Sequence, residues 1–88
     1  MEENVLRQYV GSYKLNKKIG LSITFDNGRL FIKGTGRSTA PELPLLPEAD
    51  NKFFLHDFNT TFTFVKDDNH FGLIVHEHGQ DSNWKKEE

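Results

Sequence analysis

IGLSITFDNGRLFIKGTG, residues 19–36, is patterned as a single β-hairpin. Ile19, Leu21, Ile23 and Phe25 alternate with Gly20, Ser22, Thr24 and Asp26, the period of two that arises when one face of a strand is buried. A helix would scatter those side chains around its circumference. Asn27-Gly28 tolerates the positive φ angles of a two-residue type I′ turn, and a turn at those residues fixes the register. Asp26 then faces Arg29, Phe25 faces Leu30 and Ile23 faces Ile32. Each such cross-strand pair is worth roughly 0.2–1 kcal/mol. Thr24 and Phe31 oppose one another on the second face.

The remaining chain supplies strands that pair onto this ribbon. Upstream, Val5, Leu6, Tyr9 and Val10 recur at helical spacing behind Glu2 and Glu3, and Gly11 stands at the position of a C-terminal cap, so residues 3–9 read as one short helix. Residues 11–15 read as a first strand with Tyr13 and Leu15 on one face, and Asn16-Lys17-Lys18 as a polar turn. Downstream, all three prolines fall at 41, 44 and 47, which assigns Leu43, Leu45 and Leu46 to an edge strand or irregular crossing. Residues 52–57 and 60–66 read as strands joined at Phe58-Asn59, with Phe62 and Phe64 pointing inward. Asp67-Asp68-Asn69-His70 reads as a turn, 71–76 as a strand, Gly79 as a further turn and 80–86 as a short closing strand. Short strands with frequent turn signals and one helical segment predict a mainly β domain, an antiparallel meander curling into a small barrel or half-barrel. Its ordered core should span about residues 4–86, on the strand and turn signals above.

Composition narrows the functional classes. The chain has 88 residues, enough for one domain, and its eight Phe, two Tyr and one Trp supply large apolar side chains to a small core. There is no Cys, which excludes disulfides, and a net charge of −2 with interspersed signs argues against a nucleic-acid partner. No apolar run is long enough for membrane insertion by a helix, and MEENVLRQ lacks the regions of a signal peptide, so the expectation is a soluble chain.

Tyr9-Val10-Gly11-Ser12-Tyr13-Lys14-Leu15 resembles the YVGxYxL opening of a small domain of unknown function found at the C-terminus of beta-lactamase-related serine hydrolases. The resemblance continues in order through residues 21–30, Leu45-Leu46-Pro47-Glu48, Phe53-Phe54-Leu55, Phe62-Thr63-Phe64-Val65, and Gly72-Leu73 through His76 to Gly79-Gln80. It implies a lipocalin-like barrel that is accessory to a hydrolase rather than catalytic. A serine hydrolase domain in cis and self-association are the partners it implies, and an exported hydrolase would make the location extracytoplasmic. The chain departs from the pattern where Ser82 and Asn83 replace the usual apolar residue and proline. No hydrolase precedes Met1 in the sequence, which is consistent with an isolated copy or with a domain separated from its enzyme.

Several motifs carry chemistry only if the fold supports them. Ser82-Asn83-Trp84-Lys85 matches the S-x-x-K nucleophile motif, whose chemistry needs a helix that puts the lysine one turn after the serine. On a polar terminal strand the match reads as chance. His76 and His78, two apart on a strand, share a face and are the candidate metal ligands, although a strand running into a turn accounts for them as well. His56 reads as a packed or half-exposed ring beside Phe54. Gly34-Thr35-Gly36 lacks the third glycine and following helix of a phosphate loop and reads as a bend. The inward residues Phe25, Ile32, Phe62 and Phe64 are candidate ligand contacts in a barrel cup, against the simpler reading that they fill it. No cofactor is expected.

Three functions follow: a non-catalytic accessory domain shaping active-site access or self-association, a free-standing binder of a small hydrophobic molecule, and a metal-dependent enzyme using His76 and His78. For the accessory reading the structural framework expected is Tyr9, Tyr13, Leu21, Ile23, Phe25, Leu30, Ile32, Phe62, Phe64, Leu73 and Val75, with Phe31 and Ile74 as outward apolar contacts.

Overall fold

The computed structural model describes residues 3–37, 41–49, 51–56, 59–67 and 70–87, with residue 67 described by its backbone alone. A helix, α1 (Glu3–Arg7), precedes eight strands: β1 (Gly11–Lys14), β2 (Ile19–Asp26), β3 (Arg29–Gly36), β4 (Leu43–Ala49), β5 (Lys52–Phe54), β6 (Thr60–Asp67), β7 (His70–Glu77) and β8 (Gln80–Lys86). Each strand pairs antiparallel with the next, and β8 returns to β1, which closes the barrel.

The hairpin of β2 and β3 has the expected register. Asn27 and Gly28 take φ values of 52° and 82°, and Asp26 faces Arg29, Phe25 faces Leu30 and Ile23 faces Ile32. A second hairpin of the same kind joins β7 to β8 through His78 and Gly79, with φ values of 52° and 76°. With the turns set, alternation sends Leu21, Ile23, Leu30, Ile32, Phe62, Phe64, Leu73 and Val75 to the interior, where all are buried. Closure gives every strand a paired neighbour on both sides, and the ring of side chains becomes the core.

One end of the barrel is plugged from within. Leu6 of α1 lies beside Leu30, Leu45 and Phe53 next to the turn at Gly28. The helix is shorter than residues 3–9 because its last turn tightens: the Tyr9 amide donates to the Leu6 carbonyl at 3.1 Å and the Val10 amide to the Arg7 carbonyl at 3.2 Å. That turn delivers the Tyr9 ring onto Phe64, stacked at 4.2 Å between centroids, with Phe53 and Phe71 edge-on at 6.2 and 5.9 Å. Tyr13 lies beneath, fully buried, and donates its hydroxyl to the Tyr9 carbonyl at 2.8 Å. Lys86 covers the outside, donating to the Gln8 carbonyl at 3.2 Å, so a cation sits at the helix C-terminus.

Four expectations need correction. Phe25 is only half buried: it sits at the plugged end with the Arg7 guanidinium 4.7 Å above its ring. Leu15 lies outside β1 and is exposed, because Asn16 takes the Lys18 and Ile19 amides at 2.8 and 3.0 Å and turns the chain there. The proline-bearing segment is a strand paired on both sides rather than a sheet edge. β4 tolerates its prolines because it has only three register pairs with β3 and is bulged between Pro47 and Ala49 on the β5 side. Finally, β5 ends at Phe54. Asp57, Phe58, Asp68 and Asn69, and the parts of the expected connections they form, lie outside the described residues. Among the described residues no helix is long and apolar enough to cross a membrane.

Candidate functional site

The end of the barrel opposite α1 is open. Beneath its mouth is a cup of about 350 Å³, lined by Leu21, Ile32, Leu43, Leu55, Phe62, Val75 and Trp84, with Pro41, Thr60, Glu77 and Ser82 toward the rim. The alternation that fills the plugged end produces this cup as well. At the closed end the inward positions hold Tyr13, Phe53 and Phe64, and Tyr9 is added from outside the strands. At the open end no helix of the described residues enters, and the inward positions include the small Thr60 and Ser82. An eight-stranded barrel is just wide enough for side chains or one small ligand, and the cup falls within the usual range of small-molecule sites.

Of the four residues expected to contact a ligand, Ile32 and Phe62 line the cup, whereas Phe64 is spent on the aromatic plug and Phe25 lies at the helix end. Trp84, Leu55 and Thr60 contribute to the cup without having been singled out. The alternation of Ser82 with Trp84 along β8 was the available signal, but the polar composition of 80–86 concealed it.

The polar groups of the cup gather on one arc. Thr60 faces Glu77 across the β6–β7 ladder, and Ser82 faces Val75, one inward step from Glu77. Ser82 Oγ accepts the indole N–H of Trp84 at 2.9 Å, which fixes the ring against the cup wall and leaves the hydroxyl proton available. Ser82 therefore faces inward, and Lys85, three residues on along a strand, faces the opposite side. The serine and lysine of the S-x-x-K match are separated by the sheet.

A second constellation lies on the outer surface. His76 Nδ1 is 2.6 Å from Asp81 Oδ1, and its Nε2 is 3.2 Å from Thr63 Oγ1. With Nδ1–H donating to the Asp81 carboxylate, Nε2 accepts from the threonine hydroxyl, giving the hydroxyl, imidazole and carboxylate order of an activated nucleophile. Acyl transfer also needs free amides to hold an oxyanion, and the β6–β7 register runs unbroken from Thr60 to Asp67 beneath these side chains. The row instead straps β6, β7 and β8 together from outside. His78, in the turn with positive φ, leaves the alternation that would align it with His76. Among the described residues no group of three His, Asp or Glu is arranged to hold a metal.

Outward apolar residues are also unevenly spread. Phe31 pairs with Pro44 and Leu46 with Phe54, forming a half-buried stripe across β3, β4 and β5, whereas Ile74 lies apart between Thr63 and Asn83.

The sequence profile of a family described as a domain of unknown function (DUF3471) matches residues 1–86. No curated protein and no solved structure matches the chain.

Proposed function

We propose that this chain, which belongs to the DUF3471 family, is a non-catalytic binding module whose open cup takes one small apolar molecule or group. The observation that carries this reading is the asymmetry of the barrel interior: one end packed by five aromatic rings, the other an apolar hollow of about 350 Å³. Filling such a hollow removes apolar surface from water at about 25 cal/mol per Å². The test is a titration with the fluorescent probe N-phenyl-1-naphthylamine. Saturable binding at one site per chain is expected, lost in Val75→Phe and Leu55→Phe while the far-ultraviolet circular dichroism is retained. Unsaturable binding, or binding indifferent to both variants, overturns the reading.

A second reading makes the domain accessory to a serine hydrolase, shaping access to its active site or mediating self-association. It is supported by the ordered resemblance described above and by the stripe of Phe31, Pro44, Leu46 and Phe54, which is apolar for an outward face. A hydrolase encoded in frame upstream, and a complex lost in Phe31→Lys with Leu46→Glu, are its expected outcomes. A protein that sediments as a monomer, with no such reading frame, counts against it.

A further inference from the structure

We infer that the occupant of the cup is an amphiphile with a cationic amine head, held at the mouth by Glu77, Thr60 and Ser82, its apolar body lying against Phe62, Val75 and Trp84. The inference rests on the cup being a binding site and adds the chemistry of what it selects.

Among the described residues that line the cup Glu77 is the one that carries charge. It forms no ion pair among the described residues, so its carboxylate is uncompensated at the rim of an apolar hollow. Thr60 stands directly across the ladder; the residue is 7 % exposed, and its hydroxyl, which is not a buried orphan, has no hydrogen-bond partner among the described residues. Directly opposed side chains have Cβ atoms about 5 Å apart and diagonal ones about 7 Å, so Glu77, Thr60 and Ser82 set three oxygens along one arc of the mouth. An ammonium group has three donors and no acceptor, which matches a carboxylate and two hydroxyl oxygens. Glu77 is exposed at the mouth, where a charge-assisted hydrogen bond to an ammonium head is still stronger than one between neutral groups. A carboxylate or phosphate head would instead meet Glu77 as a like charge. Lys17, Lys18 and Arg37, also at this end, line a separate hollow with Asn16 and Ile19, and none of them lines the cup.

Trp84 lines the cup and is the sole tryptophan of the chain, so its emission reports occupancy without a label. Octylamine, octanol and octanoate at neutral pH present one apolar body with three heads. Octylamine should bind tightest, by about ten-fold over octanol, the scale of one charge-assisted hydrogen bond. E77Q should abolish that preference, bringing octylamine to the level of octanol in the same variant, and E77K should shift it toward octanoate. Octanol or octanoate binding as tightly as octylamine to the unaltered protein, or an amine preference that survives E77Q, overturns the assignment of the head while leaving the cup intact as an apolar site. Failure of all three ligands to perturb Trp84 or to release heat on titration overturns both.

Discussion

Tyr13 is fully buried, and its hydroxyl donates to the Tyr9 carbonyl at 2.8 Å, so its chemistry is tied to the plug rather than to any surface. Burial, together with the neighbouring Tyr9, raises the Tyr13 pKa well above the usual phenol value, because the phenolate would have to form away from water. The unfolded chain loses this proton near its usual pKa of about 10, and the folded chain retains it to higher pH. The native state then binds more protons than the unfolded one, and stability falls as pH rises above about 10, by up to about 1.4 kcal/mol per pH unit. Urea unfolding between pH 8 and pH 11 should show this loss, and Tyr13→Phe should show a shallower one. At pH 8 the same variant should be less stable by about 1 kcal/mol, the net worth of a buried hydrogen bond. An unchanged alkaline slope in Tyr13→Phe would mean that the proton is held elsewhere. The core role of Tyr13 was legible in its place within an alternating strand, whereas that of Trp84 was not, since it stands among Asp81, Ser82, Asn83 and Lys85. Phe25 marks the reverse error. Alternation along β2 is right about its direction, but the strand outruns the packed interior and the ring ends beneath Arg7.

The β2–β3 hairpin is the element whose sequence was most informative, since turn chemistry, charge pairing and alternation all specify one register. The β7–β8 hairpin was less legible because His78 occupies the turn position for which Asn or Asp is the usual signal, and only Gly79 marked it. β4 was harder still, because proline removes a donor locally while closure of a barrel is a property of all eight strands. The two hairpin-end glycines separate conformational strain from crowding. Gly28 has φ of 82° with open space around it, so Gly28→Ala should cost about 1 kcal/mol through backbone conformation alone. Gly36 also has positive φ, but a Cβ there would run into the Lys18 carbonyl oxygen. Gly36→Ala should therefore be clearly more destabilising than Gly28→Ala in chemical denaturation. Equal losses at the two sites would show that the backbone near Lys18 yields freely.

At the scale of the whole barrel the question is where the ring opens. The β2–β3 and β6–β7 ladders each run through eight register pairs, whereas β1 meets β8 through two, Tyr13 with Lys86 and Lys14 with Lys85. A Glu87 amide bond to the Ser12 carbonyl at 2.7 Å and an exposed Lys14–Glu87 ion pair at 3.6 Å extend that seam, and an exposed pair of this kind adds at most about 1 kcal/mol. Lys86 adds a tether to α1, so the seam and the plug are one mechanical unit. Opening here should need the least free energy of any strand pair, and native-state hydrogen exchange should find the β1 and β8 amides less protected than those of β2, β3, β6 and β7. Removal of residues 80–88, the whole of β8, should leave β1 and β7 as bare edges, and the shortened chain should self-associate or lose cooperative unfolding. Because Ser82 and Trp84 line the cup from β8, an occupant that bridges to Thr60 and Glu77 holds β8 in the ring. At a hundred-fold excess over its dissociation constant, a ligand that leaves when β8 opens should slow exchange across the seam by an amount equivalent to about 2.7 kcal/mol. Protection gained at β8 and β1 with octylamine, and absent in Val75→Phe, would link the cup to closure. Exchange that slows equally in every strand would place the coupling in global unfolding instead.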